Sequence, residues 1–388
     1  MQSEINIMTA GHVDHGKTTL VQAITGNKIS THSEELKRGI TIKLGYSDCV
    51  FYKNEKGEYN SKEGSEVMRV SFLDAPGHET LMATVIAASS IVDGAILVIA
   101  ANEKCPQPQT AEHLAVIEAA GIKQLIIVQN KIDLVDEKQA MQNYEDIKKF
   151  LKETPYENAQ IIPISANLGL NITYLIRAIA ENFKPIEKEK GEAIFYVARS
   201  FDVNKPRTEV EKIKGAVLGG SVVRGVIKVG EEIEILPGIA MKKKEREYYL
   251  PLETKIVEIE AGRESVSEAR PGGLVGISTL LDPALSKSDS LVGCVVGRKG
   301  TLPRPVQEVK MIVKPIKRSL VSFPPFTSQE PIVLGIGTAT TLGFIKSQKK
   351  SEFTLELKKP VCVFPNQKIS VMRRAQNRWH LYATATAV

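Results

Sequence analysis

Cysteine is scarce. The 388 residues hold four, Cys49, Cys105, Cys294 and Cys362, and no two form a C-x-x-C pair. That excludes a disulfide framework, argues against a cysteine zinc site, and fits a reducing compartment. Long apolar runs are also lacking. No stretch approaches roughly 18 uncharged apolar residues, so no membrane span is expected. The N-terminal MQSEINIMTAG has no basic stretch followed by an apolar one. No signal peptide is therefore expected, and the expected location is cytoplasmic. Internal repeats and low-complexity tracts are missing as well. Acidic residues run short in one place only. Residues 302–388 carry 14 Lys and Arg against 4 Asp and Glu, whereas residues 1–190 carry 20 against 25 and residues 191–301 carry 17 against 16. A basic block of that kind fits a polyanionic partner such as RNA, with a solubilising surface as the alternative.

The length suits two or three domains. The first block alternates short apolar runs with helical patterns. A strand is expected at INIMT (5–9), and strand-then-loop units at VSFLDAPG (70–77), GAILVIAA (94–101), LIIVQNKID (125–133) and IIPISA (161–166). Helices are expected over 17–26 and near 78–91, 107–120, 137–153 and 171–182. Near-continuous apolar strands indicate a mostly parallel sheet with helices on both faces, and ligands bind at the carboxyl ends of such strands. PIEKEKGE (185–192) reads as a linker. Beyond it Gly and Pro rise and short Val/Ile runs replace helical periods, the texture of β-barrels. The expected layout is an α/β GTPase-type domain over 1–184, a linker at 185–191, a β-barrel over 192–301 and a basic β-barrel over 302–388.

AGHVDHGKTT (10–19) fits the phosphate-loop pattern G-x-x-x-x-G-K-[ST]. The N–H groups of Asp14, His15, Gly16, Lys17, Thr18 and Thr19 are expected to line phosphate at a helix N-terminus. Lys17 would bridge the β- and γ-phosphates, and the Thr18 hydroxyl would bind Mg²⁺. Three motifs follow in the order a GTPase needs. In DAPGH (74–78), Asp74 would hold Mg²⁺ through water and the Gly77 N–H would sense the γ-phosphate. In NKID (130–133), Asn130 orients the loop, Lys131 covers the base beside Ile132, and Asp133 accepts from guanine N1–H and its 2-amino group. Adenine lacks that donor pair and would leave a carboxylate unpaired. In SAN (165–167), Ser165, Ala166 and Asn167 offer a backbone N–H to guanine O6. In RGITI (38–42), Thr41 is the residue expected to close over Mg²⁺ and the γ-phosphate. His78 is the candidate catalytic residue, orienting the attacking water. The apolar Val13 and Ile40 are placed to gate it. His32, His113 and His380 have no neighbours in sequence that suggest chemistry and read as structural. Asp14 is out of place by sign: a carboxylate this near a triphosphate needs a cation between them.

AGHVDHGKTTL, RGITI, DAPGHE and NKID resemble the translational GTPases related to elongation factor Tu, which join a GTPase domain to two β-barrels. HSEELKRGITIKLGYSD, AANEKCPQPQTAEHL, RSFDVNKP, KGAVLGGS, EARPGGLVGI and CVVGRKGTLP narrow the resemblance to the γ subunit of archaeal and eukaryotic initiation factor 2, from about residue 5 to residue 386. The resemblance implies a GTP/GDP switch that binds methionylated initiator tRNA and delivers it to the small ribosomal subunit. It implies a heterotrimer, with an α subunit on the second domain and a β subunit on the first. It implies Mg²⁺ at Thr18 and Thr41, and a second Mg²⁺ between Asp14 and the Gly39 carbonyl. One departure stands out. Many relatives carry a four-cysteine knuckle after the strand that follows RGITI. Here that segment is CVFYKNEKGEYNSKEGSEV (49–67), and only Cys49 remains, so no zinc is expected. The charged hairpin in its place is a candidate for disorder. Arg373, Arg374 and Arg378 beside Trp379 form a candidate RNA-contacting cluster. The alternatives are an elongation-type aminoacyl-tRNA carrier, selenocysteine-specific or general, a nucleotide-metabolism GTPase, and an interaction protein with a dead nucleotide site.

Overall fold

The computed structural model describes residues 1–27, 44–78, 81–187, 189–244, 246–262, 264–316, 321–327 and 329–388. His32, Gly39, Ile40 and Thr41 lie outside the described residues. In chain order the first block forms β1 (Ile5–Ala10), α1 (Lys17–Thr25), β2 (Gly45–Lys53), β3 (Tyr59–Asn60), β4 (Ser65–Asp74), α2 (Met82–Ser89), β5 (Gly94–Ala100), α3 (Pro108–Ala120), β6 (Gln124–Asn130), α4 (Glu137–Leu151), β7 (Ile161–Pro163) and α5 (Ile172–Asn182). The sheet order is β3-β2-β4-β1-β5-β6-β7. β1, β4, β5, β6 and β7 run parallel, and β2 is antiparallel to β4. Every residue of β1 and β5 is buried, because helices cover both faces of the sheet. Two separate apolar clusters result, one on each face.

The apolar pattern starts this strand-then-loop unit at Val70, but β4 begins at Ser65. Its first residues pair back onto β2, with Lys53 opposite Ser65. The hairpin between them is a defined structure rather than a disordered loop. Asn54 Oδ1 accepts from the N–H groups of Lys56 and Glu58, and Asn60 Oδ1 accepts from those of Lys62 and Glu63. Two asparagine side chains thus hold the turns.

Six strands close the second domain into a barrel: Ile194–Phe201, Val217–Arg224, Glu232–Lys243, Arg246–Ala261, Val275–Thr279 and Val295–Arg298. Six more close the third: Val306–Pro315, Pro331–Ile336, Ala339–Lys349, Glu352–Val361, Lys368–Ala375 and Arg378–Ala387. Each has its own apolar core. The first domain meets both. On the second, Asn6 Nδ2 donates to Ser221 Oγ at 3.1 Å, and the Leu274 N–H donates to Ser71 Oγ at 3.0 Å. On the third, α2 lies so close that a Cβ at Gly335 would sit 2.4 Å from Ile86 Cγ2. The barrels touch through Gln367 Nε2, which donates to the Tyr196 hydroxyl at 3.1 Å.

Candidate functional site

β1 ends at Ala10 and α1 opens at Lys17, so residues 11–16 must reverse direction within six residues. Gly11 (φ +133°) and Gly16 (φ +88°) take backbone conformations that other residues resist. Space forbids a side chain as well, since a Cβ at Gly11 would lie 2.2 Å from the Val98 carbonyl oxygen. The N–H groups of Asp14, His15, Gly16, Lys17 and Thr19 have no acceptor among the described residues. They form an open nest at the N-terminus of α1, suited to an anion. Asp14 sits at φ +62° with its side chain exposed, so its N–H belongs to the nest while its carboxylate faces solvent.

Lys17 is 6% exposed and donates to the carbonyls of Gly11 (3.0 Å) and His12 (2.6 Å). Burial pushes its ammonium down to about 8, against the pull of Asp74 and Asp14. An arriving phosphate would supply the missing counter-charge. Gly77 packs directly on this ammonium, where a Cβ would meet Nζ at 2.3 Å. Asp74 is fully buried. Thr9 Oγ1 donates to one of its oxygens at 2.8 Å and Thr18 Oγ1 to the other at 2.6 Å. The Thr18 hydroxyl and the Asp74 carboxylate are hard oxygen donors beside the phosphate nest, and they fit Mg²⁺. Among the described residues no group of three or more His, Cys, Asp or Glu is gathered for a metal ion, and an Mg²⁺ held by hydroxyls, phosphates and one carboxylate needs none. His78, half-buried, follows Gly77.

The base-reading motifs converge on the same end of the sheet. Asn130 Nδ2 donates to the His15 carbonyl at 2.9 Å, and Asn130 Oδ1 accepts from the Ala166 N–H at 3.0 Å. One side chain thereby ties NKID to both the phosphate loop and SAN. It crosses directly over Gly16, where a Cβ would meet Nδ2 at 2.4 Å. The Ala166 N–H is thus already engaged, and the Asn167 N–H next to it has no acceptor among the described residues. Lys131 takes a left-handed φ of +63°, which starts the short 3₁₀ turn Ile132–Leu134 and presents Asp133 exposed.

Two residues of this site are missed by motif reading. Gln109 Oε1 accepts from the Val13 N–H at 3.2 Å, and His113 Nδ1 accepts from the Gly11 N–H at 2.8 Å. The stretch CPQPQT points to the right helix, but only as a family mark. His15 is fully buried, with Nδ1 donating to the Val98 carbonyl and Nε2 3.3 Å from Glu103. Burial lowers its pKa, opposed by Val98 and Glu103.

Comparison with known proteins decides the family. Residues 2–185 match the elongation factor Tu GTP binding domain, residues 215–297 elongation factor Tu domain 2, and residues 307–387 the C-terminal domain of initiation factor eIF2 gamma. Translation initiation factor 2 subunit gamma of Methanocaldococcus jannaschii is 49% identical over 99% of this chain and 97% of its own. That of Pyrococcus furiosus is 48% identical over 98% and 96%. The chain belongs to the γ subunits of translation initiation factor 2. It is a translational GTPase of translation initiation that binds GTP and GDP and hydrolyses GTP. Among solved structures it resembles a bacterial selenocysteine-specific elongation factor, with a TM-score of 0.77 and 26% identity, and it spans 58% of that chain.

Within this γ-subunit fold, a further sequence expectation fails. Arg373 is no RNA contact. It is 2% exposed, paired with Glu330 at 2.7 and 2.8 Å, and donates to the Pro324 carbonyl at 2.9 Å. Its guanidinium lies 3.9 Å from the centre of the Phe326 ring. Strand alternation explains the error: Arg373 points into the barrel, and Arg374 next to it is exposed. Arg373→Ala is expected to lower the stability of the third domain by about 3 kcal/mol, because it strands Glu330, with little effect on GDP binding. Denaturant unfolding alongside GDP titration checks both halves.

A cavity of about 500 Å³ opens where the first and second domains meet. Leu44, Tyr46, Arg199, Phe201 and Leu274 are among its walls. Arg199 spans it, donating to the Leu44 carbonyl at 2.8 Å and pairing with Asp289 at 2.9 Å. Leu44 is the first described residue after the RGITI segment. No described helix is long and apolar enough to cross a membrane.

Proposed function

We propose that the chain is a GTP-switched subunit that binds methionylated initiator tRNA and delivers it to the small ribosomal subunit in the cytoplasm, as a heterotrimer with α and β subunits. The observation that carries this reading is near-full-length identity to initiation-factor γ subunits together with an open phosphate nest. In it, the N–H groups of residues 14–19 bind phosphate oxygens and Lys17 spans the β- and γ-phosphates. Asp133 reads guanine, Lys131 and Ile132 flank it, and Asn130 holds the loop. Guanine O6 meets the N–H group of Asn167, with Ser165 and Ala166 shaping the turn. Mg²⁺, held by Thr18 and Thr41 with Asp74 behind water, would neutralise charge on the β- and γ-phosphates. Asp14 and Gly39 would hold a second Mg²⁺. His78 orients water against the γ-phosphorus, and the bond to the β-phosphate oxygen breaks to leave GDP and phosphate. Val13 and Ile40 hold His78 back until a partner acts.

The cavity between the first two domains is the proposed seat of the aminoacyl end. Its walls mix apolar and charged groups, and they begin where the switch segment ends. The domain limits 1–184, 192–301 and 302–388 are proposed as the moving units. The structural likeness to a selenocysteine-specific factor keeps an elongation-type carrier as the second reading. One measurement separates them: affinity for charged initiator and elongator tRNAs with a GTP analogue and with GDP. Initiator tRNA is expected to bind more tightly, and only with the analogue. Equal affinity for both tRNAs, or indifference to the nucleotide, would overturn the proposal.

A further inference from the structure

The mechanism above leaves α3 without a task, yet this helix touches the phosphate loop and the third domain at once. Gln109 and His113, four residues apart, stand on one face of it and cap the Val13 and Gly11 N–H groups. Those two groups belong to the phosphate loop, just ahead of the nest. His113 is an acceptor here because it is neutral: burial first, then Lys17, push it down to about 3. Glu112, the residue beside His113, leaves the helix in another direction and bonds His380 Nδ1 on the strand Arg378–Ala387. His380 Nε2 is buried and has no hydrogen-bond partner among the described residues, so Glu112 is the hydrogen-bond partner that holds that ring. At the far end of α3, Lys368 Nζ of the third domain lies 3.5 Å from the Ala120 carbonyl, a cation at a helix C-terminus.

We propose that α3 couples the seating of the third domain to nucleotide affinity. Gln109 and His113 are positioning residues for the phosphate loop, and the Glu112–His380 and Lys368–Ala120 contacts set where they stand. A preorganised anion site tolerates displacements of only about 0.5 Å, so a small shift of the helix is felt at the nest. Coupling of this kind is reciprocal: the nucleotide that tightens the loop also tightens the third domain on α3. The second domain meets the first elsewhere, at Asn6, Ser71 and Leu44.

The test is the rate of fluorescent GDP release from the full chain. Glu112→Gln and His380→Gln are each expected to speed release about fivefold or more, the lower end of usual coupling. The double variant is expected to be no faster than the faster single one, because both remove one contact. Gln109→Ala is expected to act in the same direction. Should His380→Gln fail to fold, Lys368→Ala reads the same coupling from the helix end, with faster release expected. A Glu112→Gln protein that melts at lower temperature but releases GDP at the wild-type rate would overturn the proposal and leave the pair a purely stabilising one. The proposal rests on residues 11–19 being the phosphate loop. Lys17→Ala separates the two failures: unchanged GDP binding there sinks the loop assignment, whereas lost binding there with wild-type release from Glu112→Gln sinks only the coupling.

Discussion

Asp133→Asn is expected to weaken GTP and GDP binding by about 10²- to 10⁴-fold and to favour xanthine nucleotides instead. Two charge-assisted hydrogen bonds to guanine, worth about 1.5–3 kcal/mol each, set that range. Guanine presents two donors on one edge, N1–H and the 2-amino group. A carboxylate accepts both; an amide offers one acceptor and one clashing donor. Xanthine carries an oxygen in place of the 2-amino group and suits the amide. The change should cost the fold little, because Asp133 is exposed and its side chain makes no hydrogen bond among the described residues. Nucleotide titration with guanine and xanthine diphosphates measures it. An unchanged preference for guanine would remove Asp133 from the base site.

His78→Ala is the second large effect. It is expected to slow GTP hydrolysis by about 10²- to 10⁴-fold, the usual yield of a positioned proton-handling or water-orienting side chain, with GTP binding nearly unchanged. The reason is its place. It follows Gly77, which packs on the Lys17 ammonium, so it stands one residue from the position proposed for the γ-phosphate. Single-turnover hydrolysis separates the two quantities. A wild-type rate, or a binding loss equal to the rate loss, would deny His78 its role in the chemistry.

The nucleotide site was largely legible because its information is local. GHVDHGKT, DAPGH, NKID and SAN each stand directly after an apolar run, and a covered parallel sheet gathers the carboxyl ends of its strands at one edge. Four short motifs thus converge without any knowledge of long-range contacts. The two barrels were legible for a similar reason: short Val/Ile runs with frequent Gly and Pro rarely support anything but closed antiparallel sheet. Arg373 was misread because charge alone does not show which way a strand residue points. Its neighbour Arg374 is exposed, and only the pairing of its strand turns Arg373 inward toward Glu330.

What the sequence by itself determined was the chemistry on offer: a loop suited to phosphate, a carboxylate suited to guanine, and the order of domains. Tertiary structure alone decided how these parts are held. Val13 and Gln109 are 96 residues apart, Gly11 and His113 are 102 apart, and Glu112 and His380 are 268 apart. No local pattern announces such pairs, because each partner is an ordinary residue for its own element. The fold closes on them only when a buried N–H or a buried ring nitrogen, costly to leave unpaired, finds its acceptor across the core.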